Sequence, residues 1–245
     1  MSKYLLFRLY GPLASWGETA VGDIRPTAVW PTRSAIIGLC AAALGIRRDE
    51  DVRQGELASA LGIAVCIESI GELLRDFQTT QVPPEQRGVE YRTRREEILA
   101  DKINTIISRR DYRTDALYTI ALWHKGKEKK PSLSELQAAL CRPSFTLYLG
   151  RKSCPPALPL APHIIEASHL KEAFEHAEFA SKSLLEGLPD SGERIYVWEM
   201  NETPGMEALH VTARRDEPTS RRRWHFANRD EYYLSETHAT SGRGE

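Results

Sequence analysis

The sequence predicts an α+β fold: a strand, helix, strand, strand, helix, strand domain over residues 1–150, followed by a mainly β extension over 151–245. Three observations carry this. Apolar residues alternate with period two in several short runs, as half-buried or buried strands require. Two intervening segments instead space their apolar residues three and four apart, as a helix facing a core does. Beyond Pro155 the patterning weakens into short strand-like runs between prolines and arginine-rich turns.

The elements follow in order. From Tyr4 to Tyr10, Leu5, Phe7 and Leu9 alternate with Leu6, Arg8 and Tyr10, a buried strand stopped by Gly11-Pro12. Ile37, Cys40, Ala41 and Leu44 recur at helical spacing and predict a helix from about Thr32 to Leu44. Thr32 or Ser34 suits its N-cap after Pro31, and Gly45 suits a left-handed C-terminal cap. Ile63, Val65 and Ile67 mark a second strand, and Gly71 turns into a third near Glu72 to Thr80. Residues Gln81 to Arg113 break the rhythm: a segment so polar supplies little core and reads as a projecting hairpin or loop.

Ala116 to Trp123 is strand-like again, and Ser132-Leu-Ser-Glu135 is a capping box opening a helix with Leu133, Leu136 and Leu140 on one side. Pro143 ends that helix, and Phe145, Leu147 and Leu149 alternate in a closing strand. This order is that of a ferredoxin-like domain, with residues 81–113 as an insertion. After it, Ile164 to Leu185 is expected to be loosely helical. Ile195 to Trp198, Leu209 to Ala213 and Trp224 to Leu234 read as strands, with Arg214, Arg215, Arg221, Arg222 and Arg223 in the turn between the last two. Residues 235–245 are expected to be disordered.

Composition narrows the function classes. With 33 basic against 34 acidic residues and a net charge of −1, the chain has no global nucleic-acid signature, so any basic surface is local. Cys40, Cys66, Cys141 and Cys154 are far apart and form no C-x-x-C pair, which argues against a zinc ribbon or thioredoxin motif and for reduced thiols in a cytosolic protein. Met-Ser-Lys leading straight into a strand is not the pattern of a signal peptide, and no apolar run reaches membrane-spanning length. A cytoplasmic location is expected.

Two stretches carry binding chemistry. The turn before the first helix offers free backbone N–H groups, the positive end of the helix dipole, two hydroxyls and the Arg33 guanidinium, a set suited to a phosphate. Equally, Arg33 can pair with a carboxylate while the hydroxyls only cap. In residues 81–113, arginines and Lys102 interleave with Tyr91 and Tyr112, the pattern that grips phosphates and stacks unpaired bases. Glu90, Glu96, Glu97, Asp101 and Asp111 offer the other account, a solvated face of paired charges. Metal-independent RNA cleavage needs a base and an acid held together, and Tyr91, Lys102 and His124 are the one composite that suggests itself. His163, His169 and His176 fit no metal-ligand spacing, and no G-x-S-x-G, P-loop or dinucleotide fingerprint occurs. No cofactor or metal is expected.

Taken together, Arg8-Leu-Tyr-Gly-Pro-Leu-Ala-Ser-Trp-Gly17, Arg25-Pro-Thr27, Pro31-Thr-Arg-Ser34 with the helix through Gly45-Ile-Arg-Arg48, Tyr148-Leu-Gly-Arg-Lys-Ser-Cys-Pro155 and Arg215-Asp-Glu-Pro218 resemble the CasD family of CRISPR-associated proteins. This family supplies the subunit of the type I-E Cascade effector that holds the 5′ handle of the guide RNA. The resemblance implies a ferredoxin-like RAMP fold in which residues 81–113 form a thumb, and assembly with the repeated backbone subunit and the large subunit, with target DNA met only through the complex. It implies RNA contact by Trp16, Arg25, Thr27, Thr32, Arg33 and Ser34 and by Tyr148, Arg151, Lys152 and Ser153. From the thumb, as a segment, it implies contact by Tyr91, Arg92, Arg94, Arg95, Arg109 and Arg110. Arg33→Glu is then expected to weaken handle binding without unfolding the protein. Related RAMP nucleases carry a glycine-rich loop near the C-terminus, which is not found here. The expected function is therefore a non-catalytic RNA-binding subunit, the alternative being a metal-independent endoribonuclease that processes repeat RNA.

Overall fold

A computed structural model of the chain describes residues 1–126, 130–179, 188 and 192–237. Its organising element is β1 (Ser2–Tyr10), buried from Tyr4 through Leu9. It pairs antiparallel with β7 (Leu117–His124) on one side and β8 (His163–Ala167) on the other. Beyond β7 lies β4 (Leu61–Ser69), then β9 (Glu193–Trp198), β11 (His225–Thr237) and β10 (His210–Ser220), giving one seven-stranded sheet of order β10-β11-β9-β4-β7-β1-β8.

Period-two alternation in β1 divides its side chains between two cores. Leu5, Phe7 and Leu9 join Ile36, Ile37 and Cys40 of helix α1 (Arg33–Ala43), Leu57 of α2 (Asp51–Ala60) and Leu136 and Leu140 of α4 (Leu133–Cys141). Tyr4 and Leu6 face the opposite way, with Trp123, Trp198, and Leu170 and Phe174 of α5 (Leu170–Glu175). A central strand covered on both faces reads as a near-continuous apolar run, and β1 does from Tyr4 to Leu9 with Arg8 as the one polar residue.

Helix starts follow the capping signals. The Thr32 side chain accepts from the Ala35 N–H, and Gly45 at φ 72° takes the left-handed turn after α1. At α4 both halves of the capping box are made, the Ser132 hydroxyl accepting from the Glu135 N–H and the Glu135 carboxylate from the Ser132 N–H. Removing one such cap costs about 1 kcal/mol. Ser132→Ala is therefore expected to lower the unfolding free energy by that amount, seen as a lower urea midpoint at unchanged slope, which equilibrium denaturation checks.

Four expectations are corrected. Phe145 to Leu149 is not a strand. The amides of Ser144 and Phe145 instead bond to the carbonyls of Ala43 and Ala42 at the end of α1, and the Leu149 carbonyl accepts from the Ser15 N–H. Leu147 and Leu149 are still buried, so the alternation recorded sidedness without strand pairing. The strand beside β1 is β8, within the region expected to be loosely helical; only Leu170–Glu175 is helical there, and residues 180–185 of that expectation lie outside the described residues. Arg214 and Arg215 belong to β10, so the turn keeps Arg221 to Arg223 alone. Of the tail expected to be disordered, 235–237 pair within β11 and 238–245 lie outside the described residues.

A second, smaller sheet carries an arm. β5 (Glu72–Val82) and β6 (Asn104–Thr114) pair antiparallel from Glu72↔Thr114 to Val82↔Asn104, with α3 (Arg94–Ile98) at the far end. The arm is rooted by β2 (Leu13–Ala14) and β3 (Ile24–Arg25), which pair with β6, and by Tyr112, which enters the main core. Among the described residues no helix is long and apolar enough to cross a membrane.

Candidate nucleic-acid interface

The N-terminus of α1 has its anion already. The Arg33 N–H donates to Asp216 Oδ2 at 2.7 Å, so a carboxylate from β10 occupies the place a phosphate was expected to take. The Arg33 side chain is 1% exposed; its Nε pairs with Glu217 and with Glu199 Oε1 (3.2 Å), and its Nη2 donates to the carbonyls of Ala58 and Leu61. Asp216 in turn accepts from Arg229 at 2.6 and 2.9 Å, and Glu231 accepts from Arg229, Arg214 and the Trp30 indole. Burial works against the Arg229 charge, but the Asp216 and Glu231 carboxylates outweigh it and the net shift of its pKa is upward. This buried network welds β10 and β11 to the first helix.

Three companions of Arg33 in the expected RNA-binding set are likewise structural. Trp16 is 1% exposed and packs edge-on against Tyr118 with ring centres 5.7 Å apart. Thr27 is buried and accepts from the Trp16 N–H at 2.8 Å, and Thr32 is spent on the helix cap. The rule that misled here is general: a hydroxyl or arginine at a helix start has the same sequence signature whether it meets a ligand or its own chain.

The other expected residues do come together. Ser34, Tyr148 and Arg151 line a groove of about 830 Å³ between the small-residue face of α1, the segment after α4 and the turn joining β10 to β11. Gly150 makes the sharp bend here at φ 85°, where a Cβ would fall 1.8 Å from the Ser15 carbonyl oxygen. Arg151 is held by the carbonyls of Arg25 (3.1 Å) and Asp111 (3.4 Å) and lies over the Tyr112 ring at 4.7 Å. Arg25 is exposed beside it, and Lys152 and Ser153 are exposed on the same bend.

Groove residues outside the expected set include Arg47, Arg48, Arg214, Arg215, Arg221 and Trp224. Arg48 stood at the end of a resembling segment, and the Arg221 to Arg223 cluster stood out by charge. Trp224 carried no local signal. The residue is 57% exposed, and the Arg48 guanidinium sits 4.5 Å from its ring centre. The sole acidic side chains lining the groove among the described residues are Glu18 and the already paired Asp216.

The arm presents a different surface. Arg92 and Arg95 are exposed, Arg94 pairs with Glu97 at 2.6 Å, Arg109 pairs with Asp23 at 3.6 Å, and Arg110 and Tyr91 are half-buried. Phe77, opposite Arg109, is 58% exposed, and Ile106 and Ile107 are exposed nearby. Further in, Arg75 holds Asp111 in a two-pronged pair at 2.8 and 3.0 Å, a hydrogen-bonded pairing that keeps the Asp111 carboxyl below its usual range.

The composite of Tyr91, Lys102 and His124 is not assembled around a common point by any described contact. His124 stands at the end of β7 remote from the arm's root, with Nε2 2.9 Å from the Pro131 carbonyl oxygen. Tyr91 and Lys102 lie at the far end of the arm. His169 caps α5, accepting from the Glu172 N–H. Among the described residues no group of three or more His, Cys, Asp or Glu is placed to hold a metal ion.

An α+β body with a two-stranded arm and an arginine-lined groove belongs to a known class: residues 4–231 match the family described as CRISPR-associated protein (Cas_Cas5), and the chain is a member of that family. It is 34% identical over 243 residues to the CRISPR system Cascade subunit CasD of Escherichia coli (strain K12), with 96% of each chain covered. Its fold is similar to a chain of a CRISPR RNA-guided surveillance complex, at a TM-score of 0.63 and 24% identity, covering 95% of this chain and 89% of that one. It is also similar to a structure titled Crystal structure of Cas protein, at a TM-score of 0.58 and 27% identity over 95% of this chain and 93% of that one.

Proposed function

We propose that this protein is the non-catalytic RNA-binding subunit of a Cascade complex, holding the 5′ handle of the guide RNA and capping the backbone of the assembly. The observation that carries this reading is the convergence in one groove of Arg48, Arg151, Arg215 and Arg221, brought from three separate parts of the chain in a protein with no net positive charge. Such focusing serves a polyanion, and the aromatic rings between the arginines serve unpaired bases. The sheet order β8-β1-β7-β4, antiparallel throughout with α1 and α4 between its crossing strands, supports reading the body as a ferredoxin-like RAMP domain. On this reading β5 and β6 are the thumb, and β9 to β11 are the extension. The handle lies along the groove, the thumb crosses the strand near the handle-spacer junction, and the exposed apolar positions of the thumb meet the backbone and large subunits.

Two measurements test this. Labelled CRISPR repeat RNA incubated with the protein in chelator is expected to stay intact on a denaturing gel; cleavage lost on mutating Tyr91, Lys102 and His124 together would make the protein a processing endonuclease. In filter binding, if those four arginines each meet one phosphate, log Kd plotted against log salt has a slope of magnitude about 3, at roughly 0.7 per phosphate of a single strand. A flat salt dependence would leave a scaffold whose arginines serve protein partners.

A further inference from the structure

We infer that the turn between β10 and β11 builds a nucleotide pocket with the first helix, in which Arg221 and Arg48 receive a backbone phosphate and Trp224 stacks the adjoining base; this rests on the RNA-holding reading above. Arg221 is the buried half of this pocket. Its guanidinium lies down on α1, with Nη2 donating to the Ser34 carbonyl, and rests against Gly38, where a Cβ would stand 3.0 Å from Nη2. Its Nε is buried and has no hydrogen-bond partner among the described residues, and no described carboxylate lies within 4 Å of the group. An arginine in such surroundings needs an anion, because desolvation without a partner is costly.

The neighbours make the deficit larger. Burial first, and then the Arg48 charge, lower the Arg221 pKa to about 10. Two like charges are thus held together at one end of a groove wide enough for a nucleotide. The neighbouring arginines have found their counter-ions within the chain: Arg33 has Glu199 and Glu217, and Arg229 has Asp216 and Glu231. Arg221 is the exception, and it faces the groove.

Trp224 supplies the second half. A bulky aromatic residue at φ 55° sits where L side chains are rarely found, and such outliers persist where the surroundings over-determine them. Here they do. The turn is anchored on the start of α2, the Asp51 carboxylate accepting from the Ser220 hydroxyl at 3.2 Å and the Arg222 N–H at 3.5 Å. What this anchoring delivers is an indole ring at the groove mouth, backed by Arg48 and open over more than half its surface. A ring held out in water beside cations is a stacking platform, and an apolar partner protein would not call for the buried arginine beside it.

Titration with a short single-stranded RNA oligonucleotide tests this, because Trp224 is the exposed one of five tryptophans. RNA is expected to quench the fluorescence of the unaltered protein. Trp224→Phe abolishes the quench while keeping the Kd within about threefold, since phenylalanine still stacks. Trp224→Ala weakens binding about 5- to 150-fold, which is base-aromatic stacking of about 1–3 kcal/mol converted to affinity. Arg221→Met, similar in shape without the charge, weakens binding at least tenfold and lowers the salt slope. If Trp224→Ala and Arg221→Met bind the RNA as the unaltered protein does, the pocket is refuted and the RNA-holding reading stands. If the unaltered protein fails to bind RNA at low salt, both fall together.

Discussion

Replacing Arg33 by alanine is expected to cost about 3–5 kcal/mol of stability, the penalty for breaking a buried ion pair by removing one partner. The substitution leaves Glu199, 4% exposed, with only Lys125 as counter-ion, frees Glu217, and strips the carbonyls of Ala58 and Leu61 of a donor. At roughly 2–4 °C per kcal/mol for a chain of this size, the melting temperature falls by about 6–20 °C. RNA affinity, measured at a temperature where both proteins are folded, stays within a few-fold. Arg33→Glu, expected from the sequence to spare the fold, instead adds a fourth carboxylate beside Glu199, Asp216 and Glu217 and unfolds the protein. A large loss of RNA affinity by a well-folded Arg33→Ala protein would return Arg33 to the interface.

Excising residues 79–107 and joining Gln78 to Ser108 through an Asn-Gly turn is expected to abolish assembly with guide RNA and backbone subunit while leaving the body folded. Gln78 and Ser108 are register partners, so a two-residue turn closes the shortened hairpin where strand pairing already holds its ends together. None of the excised residues belongs to either apolar core. The arm keeps its root: the Asp111 carbonyl still accepts from Ser15, Arg75 still holds the Asp111 carboxylate, and Ile24 and Arg25 still pair with Arg109 and Arg110. What is lost is Tyr91, Arg92, Arg94 and Arg95 with the exposed Ile106 and Ile107, a surface with no use in the monomer. Size-exclusion chromatography of the reconstituted complex reads the outcome, with circular dichroism melting as the control. A complex that assembles normally would remove the arm from the mechanism.

Much of the fold is local in origin and was legible as such. The alternation of β1, the helical spacing and Thr32 cap of α1, the Gly45 turn and the Ser132-Glu135 box all depend on residues two to four apart, the range over which backbone geometry repeats. Residues 81–113 were legible as a projection, because so polar a segment gains little from joining a core, but Glu72–Val82, expected as a strand of the body, pairs with β6 in the arm instead. Part of what borders the groove was readable in the same way: Tyr148, Arg151 and, in the basic turn, Arg221 were singled out and line it.

Three things were decided only by the tertiary structure. Whether an alternating run finds a strand partner depends on which backbone is free beside it; Phe145 to Leu149 met the open carbonyls of α1, while His163 to Ala167 met the edge of β1. Whether a helix-start arginine serves a ligand depends on where the carboxylates land, and Glu199, Asp216 and Glu217 reach Arg33 across more than 160 residues of chain. The groove itself gathers Arg48, Arg151 and Arg221 from elements far apart in sequence. Charge is neutralised and backbone is satisfied by whatever is near in space, and local periodicity holds no record of that distance. The sequence alone determined the elements whose signals are local and the chemistry available to them; the packing decided which runs paired as strands, which charges were consumed in holding the molecule together and which were left facing the groove.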